Sequence, residues 1–178
     1  IEATGLAPSF DLESAILITL MPGPYTAILS GDNGSKGVGL VEVYDTSTDG
    51  SAQLANVSTR GVVGTGQNVL IAGFITGGGN GSTEVVVRGL GPSLAQFGLA
   101  EALVDPVVRI FDGNGNVVQN DNDWKDTQEV AIEATGLAPT NNFESSIVVS
   151  VPAGNYTAIL SGNGGGTGIG LLEVYKLL

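Results

Sequence analysis

The residues best equipped for chemistry in this chain are oxygen donors. Asn120, Asp121, Asn122, Asp123 and Asp126 crowd one short stretch, and Asp112, Asn114 and Asn116 alternate just upstream. Asp and Asn oxygens at alternating positions suit a hard cation such as calcium, so Asp112, Asn114, Asn116, Asp121 and Asp123 are candidate metal ligands. The stretch is not an EF-hand loop, because Val117 stands where that loop needs glycine. The competing reading is structural: Asn and Asp make turns and cap helices. A carboxylate pair for glycoside hydrolysis is formally available, as Asp121 or Asp123 with Glu144. A pair drawn from 18 acidic residues without geometry singles out no active site, and the expectation is a protein that is not an enzyme. Trp124, the single tryptophan, has a sugar-stacking reading and a packing one; beside a helix start, a core plug is expected.

Several chemistries are excluded outright. With no histidine and no cysteine there is no Ser-His-Asp or Cys-His nucleophile, no His/Cys zinc site and no disulfide. Six basic against 18 acidic residues leave a formal charge of −12, which repels nucleic acid and anionic membranes alike. No apolar run approaches the roughly 20 residues of a membrane span. Calcium, polysaccharide and other copies of the chain remain as partners. Arg88 and Arg60 stand out among so few cations, and each is expected to hold a loop through an ion pair or backbone carbonyls, with Asp105 or Glu84 as carboxylate partners.

These residues must be positioned by β-structure. The composition, 42% hydrophobic with positive mean hydropathy, is that of a globular chain despite 28 glycines. Short β-prone segments bounded by turn residues occur at 25–30, 39–44, 57–63, 68–76, 83–88, 107–111, 117–120, 146–151, 156–161 and 170–175. Residues 112–116, DGNGN, read as the turn of a hairpin. Helix is minor: residues 92–97, with Pro92 in the first turn and Gly98 behind, and residues 126–136, with Asp126 as N-cap, Glu129 as its N3 partner and Gly136 as the C′ glycine. The fold class expected is all-β, a two-sheet sandwich with jelly-roll or Greek-key connections.

An internal repeat organises the chain. Residues 1–44 align without a gap onto residues 132–175, 131 positions later, and 26 of the 44 pairs are identical. The expected domains are therefore a C-terminal third of one repeat at 1–44, a small polar linker at 45–50 and a complete unit at 51–178. Residue 1 corresponds to the middle of the 126–136 helix, which suggests a piece of, or a product processed from, a longer tandem-repeat protein. A 44-residue piece cannot build a core alone. Its apolar strand positions, Tyr25, Ile28, Leu40, Val43 and Tyr44, are candidate interface residues, to be covered in cis or by another chain.

The stretch VVRIFDGNGNVVQNDNDW, with the later ESSIVVSVPAGNYTAILSGNGGGTGIGLLEVY, resembles the bacterial pre-peptidase C-terminal type of domain. Asp112, Asn120, Asp121, Asp123, Gly154 and Tyr156 occupy that pattern, over roughly residues 107–175 and again over 10–44 of the partial copy. The resemblance implies a secreted β-sandwich, at times calcium-binding, that accompanies enzymes or adhesins without being catalytic. Upstream, NVSTRGVVGTGQNVLIAGFIT and VVVRGLGPSLAQFGL look like a repeat unit of large bacterial surface proteins. The expected function is a non-catalytic structural or adhesive extracellular repeat protein, self-associating and in the limit a filament subunit; the alternative is a calcium-stabilised module that binds polysaccharide or another surface.

Overall fold

The computed structural model describes residues 1–47, 53–77 and 81–177. Linker positions 48–50, and the ends of the expected complete unit at Ser51 and Leu178, lie outside the described residues. The chain divides into two compact units, residues 1–53 and 54–178. No helix among the described residues is long and apolar enough to cross a membrane.

Among its described residues the second unit carries eight strands: β1 (Asn56–Val63), β2 (Leu70–Thr76), β3 (Thr83–Leu90), β4 (Pro106–Asp112), β5 (Val117–Asp121), β6 (Ser145–Val151), β7 (Gly154–Gly162) and β8 (Gly168–Lys176). They form two antiparallel sheets of four, ordered β1-β8-β3-β6 and β2-β7-β4-β5. The ladders β1·β8, β2·β7, β3·β6 and β4·β5 are those of one long hairpin, wound so that successive rungs fall in alternate sheets. That is a jelly roll: the two-sheet sandwich is as expected, and of the jelly-roll and Greek-key connections the sequence left open it has the former.

The strands form where alternation sends every second side chain inward. Tyr156, Ala158 and Leu160 of β7, with Val108 and Ile110 of the adjacent β4, share one buried core with Leu172 and Val174 of β8 and Val85 and Val87 of β3. The opposite face of the β8 sheet also carries buried side chains, among them Val86 and Glu173. Among the described residues one α-helix, α1 (Glu129–Ala134), presents the fully buried Ile132.

Three sequence expectations change. Gln128, not Asp126, precedes α1, and it makes no capping bond; its side-chain amide instead donates to and accepts from the Val148 backbone at 2.8 and 3.1 Å, which pins the helix start to β6. Gly136 does take the left-handed conformation, at φ 71°, with its N–H on Glu133. Residues 92–97 wind as a 3₁₀ turn, closed by Gly98 at φ 83°. Third, residues 25–30 and 39–44 form no ladder: among the described residues of the first unit the regular elements are 3₁₀ turns at Glu2–Thr4 and Asp32–Gly34, and residues 1–47 are all exposed. The topology supplies the reason. The ladders of β6, β7 and β8 are made with β1, β2, β3 and β4 and never with one another, so a copy of those three strands alone has no ladder to make.

Candidate functional site

The Asp/Asn candidates separate into two places. Asp112 caps the β4–β5 turn: its Oδ1 accepts from the Asn114 and Asn116 backbone N–H groups at 2.9 and 2.8 Å, and its Oδ2 accepts from Asn116 Nδ2 at 2.9 Å. Those bonds, led by the Asn116 side chain, hold the Asp112 carboxyl below its ordinary pKa. Asp121 ends β5, opposite Val108 near the start of β4, so the hairpin separates it from Asp112 by about four residues of strand, some 13 Å. The fold thus brings Asp121 and Asp123 together with Asp126, a member of the same stretch not among the five candidate ligands, and with Asp105, which the motif did not include, and leaves Asp112, Asn114 and Asn116 at the far end of the hairpin.

The second group is acceptor-rich. Asp121 is buried, its Oδ2 accepting from the Ser146 N–H at 2.9 Å. Burial raises its pKa, and the carboxylates of Asp123 and Asp126 push the same way. Asp123 is raised by desolvation and then by Asp105 and Asp126. Asp105 Oδ1, Asn122 Oδ1 and Asp123 Oδ1 are buried oxygens without a hydrogen-bond donor. Unsatisfied acceptors among like charges are what a hard cation relieves. Among the described residues, however, no group of three or more carboxylates is arranged to hold a metal ion.

The other candidates are structural. Trp124 is buried, with its indole N–H on the Asn141 carbonyl at 3.1 Å. Glu144 is fully buried; one oxygen accepts from Ser93 Oγ and from the Gly91 and Ser93 N–H groups at 3.2 and 3.0 Å, and the other accepts from Asn141 N–H at 3.3 Å. A carboxylate so engaged anchors the 91–93 loop to the start of β6. Arg88 pairs with Glu173, directly opposite it in the β3–β8 ladder, rather than with Asp105 or Glu84. Its Nε lies 2.9 Å from Glu173 Oε2, Nη1 donates to the Leu137 carbonyl at 2.9 Å, Nη2 donates to Tyr175 OH at 3.1 Å, and the guanidinium sits 5.1 Å from the Tyr175 ring centroid. Among the described residues, the exposed Arg60 makes no ion pair.

The largest chemical feature is the uncovered first copy. Its local bonds reproduce those of the complete unit. Tyr25 OH donates to the Met21 carbonyl as Tyr156 OH does to Pro152, Thr4 Oγ1 donates to Ile1 as Thr135 Oγ1 does to Ile132, and Tyr44 OH donates to Glu42 as Tyr175 OH does to Glu173. Gly31 and Gly162 close equivalent turns where an added Cβ would sit 2.1 Å from a backbone oxygen. The surroundings differ completely. Ile16, Leu29 and Val41 are 87, 54 and 50% exposed, whereas Ile147, Leu160 and Leu172 are 0% exposed. Of the candidate interface residues, Tyr25 and Val43 have buried counterparts in Tyr156 and Val174, while Ile28, Leu40 and Tyr44 correspond to the half-buried Ile159, Leu171 and Tyr175. Ile16, Leu29 and Val41 were missed, although the alternation through Tyr25, Ala27 and Leu29 marks that face.

The chain matches no protein-family profile and no curated protein. Among solved structures it is similar to the pre-peptidase C-terminal domain of a collagenase from Bacillus anthracis, at 12% identity and a TM-score of 0.42, over 67% of this chain and 88% of that one.

Proposed function

We propose that this protein is a non-catalytic structural or adhesive module of an extracellular repeat protein, whose copies associate, in the limit into a filament, by covering residues 1–47. One observation carries the reading: Ile16, Leu29 and Val41 are exposed in a segment whose equivalent side chains are core. An apolar face of this kind is a site of association, and a contact between unlike surfaces of successive copies propagates into an open fibre. The secreted setting is supported by the resemblance of residues 107–175 to the pre-peptidase C-terminal pattern. Analytical ultracentrifugation and electron microscopy test the proposal. Association is expected to rise with concentration, and Val41→Asp is expected to abolish it while leaving the melting of the 54–178 unit unchanged. Monomers at every concentration would overturn it.

A second reading, a calcium-stabilised module that binds polysaccharide or another surface, is favoured by the undonated oxygens of Asp105, Asn122 and Asp123. Calcium is then expected to raise Tm in the unaltered chain and to have no effect in Asp123→Asn. Identical Tm in calcium and in chelator would remove the metal from this reading.

A further inference from the structure

We propose that residues 1–47 and 132–177 are interchangeable completions of one scaffold, residues 54–121, so that the chain exchanges between two registers of the same jelly roll. The inference goes beyond the association proposed above and does not depend on it.

Three observations carry it. First, every ladder made by β6, β7 and β8 is to a strand of the 54–121 scaffold, so the scaffold selects its completing strands without help from any bond among them. Second, the side chains with which 132–177 holds the scaffold recur in the first copy. Glu144 on the 91–93 loop, Ser145 on the Pro106, Asp121 and Asn122 carbonyls, Glu173 and Tyr175 on Arg88, and Tyr156 stacked on Phe74 have identical counterparts in Glu13, Ser14, Glu42, Tyr44 and Tyr25. Third, the chain connection permits it. Tyr175 stands opposite Asn56 in the β1–β8 ladder, and its counterpart Tyr44 precedes Asn56 by only 12 positions in sequence. Eleven intervening residues are enough to join adjacent antiparallel strands at small entropic cost, and so short a separation keeps the competing segment at high effective concentration. The second register is a circular permutation of the first, a rearrangement that sandwich termini tolerate when they lie at the surface.

The sequence also biases the exchange toward the register seen here. Asn163 Nδ2 donates to Asp105 Oδ2 at 2.9 Å; the first copy carries Asp32 at that position, which would set one carboxylate against another. Pro24 replaces Asn155, opposite Ile75 in the β2–β7 ladder, and removes a backbone donor. In either register one completing segment stays uncovered, so the chain always presents an association surface, at one end or at the other.

The absence of cysteine makes a disulfide test clean. Arg60 is opposite Leu171 in the β1–β8 ladder, and Leu40 is the counterpart of Leu171. In the full chain carrying Arg60→Cys, Leu40→Cys and Leu171→Cys, equilibrated in a glutathione buffer, both the 60–171 and the 60–40 bridges are expected within single chains, with the former in excess. Adding Asp32→Asn and Asn163→Asp is expected to shift the ratio toward the 60–40 bridge by about tenfold or more, the scale of one charge-assisted hydrogen bond. Only the 60–171 bridge in both backgrounds, or a 60–40 bridge formed solely between chains, would overturn the exchange. If the triple variant does not fold, hydrogen exchange on the unaltered chain decides: a slowly exchanging fraction over 25–44, matched by a fast fraction over 156–175, is expected, and a uniformly fast 25–44 refutes the proposal. Sedimentation of the same samples reads association separately, so monomers carrying both bridges would reject the assembly and keep the exchange.

Discussion

At the scale of single residues, carboxylates dominate this protein, yet the folded chain uses them in opposite ways. Asp112 is fully engaged by donors of its own turn and Glu144 by a buried loop, whereas Asp121 and Asp123 have their pKa values raised first by desolvation and then by neighbouring like charges. A spacing motif cannot separate these cases, because all are Asp or Glu near Gly and Asn; the difference lies in which donors the fold aims at each oxygen. Arg88 makes the same point from the cationic side. Its side chain is 16% exposed and that of Glu173 is 9% exposed, so removing the guanidinium leaves a buried carboxylate with only Tyr175 OH to compensate. Arg88→Ala is expected to destabilise the 54–178 unit by about 3 kcal/mol, and Arg88→Ala with Glu173→Gln by less than that single change. Urea unfolding followed by Trp124 fluorescence measures both, and an Arg88→Ala effect below about 1 kcal/mol would show the pair to be a surface contact.

At the scale of elements, one stretch of sequence occurs twice with two fates. Turn residues and alternation located all eight strands of the complete unit, including the 112–116 hairpin, because those signals are local. The same signals marked 25–30 and 39–44 as strands, and there they failed. Strand pairing is a property of two segments, and here β1 to β4 are already paired with β6, β7 and β8 of the second copy. The contrast is measurable. Leu172→Ala empties a fully buried core position and is expected to cost about 2–5 kcal/mol; Val41→Ala, its counterpart at 50% exposure, is expected to change stability by no more than about 0.5 kcal/mol. Equal effects in chemical denaturation would mean that both copies are covered to the same extent in solution. Helix α1 adds a smaller lesson: Asp126 has the composition of a cap, but the bonds between Gln128 and the Val148 backbone decide where the helix begins.

At the scale of the whole molecule, the charge of −12 opposes the association that the uncovered apolar positions favour. The balance is set by ionic strength, since the screening length falls to about 10 Å at 0.1 M salt and about 3 Å at 1 M. Association of the chain is therefore expected to tighten as salt rises, and weakening with salt in sedimentation would point to ion pairs rather than apolar contact as the cohesive force. What the sequence determined by itself was the inventory and its periodicities: no thiol or imidazole chemistry, an all-β fold, and a repeat in which residues 1–44 recur at 132–175, 131 positions later. These are properties of residue type and local spacing, which survive without three-dimensional information. Only the tertiary structure decided that the complete unit is a jelly roll whose last three strands pair exclusively with its first four, that Asp121 and Asp123 gather with Asp105 and Asp126 and not with Asp112, and that residues 1–47 keep local geometry without a ladder. Each depends on which distant segments meet, and a hydrogen-bond ladder, a buried ion pair or a covered face exists only once both partners are in place.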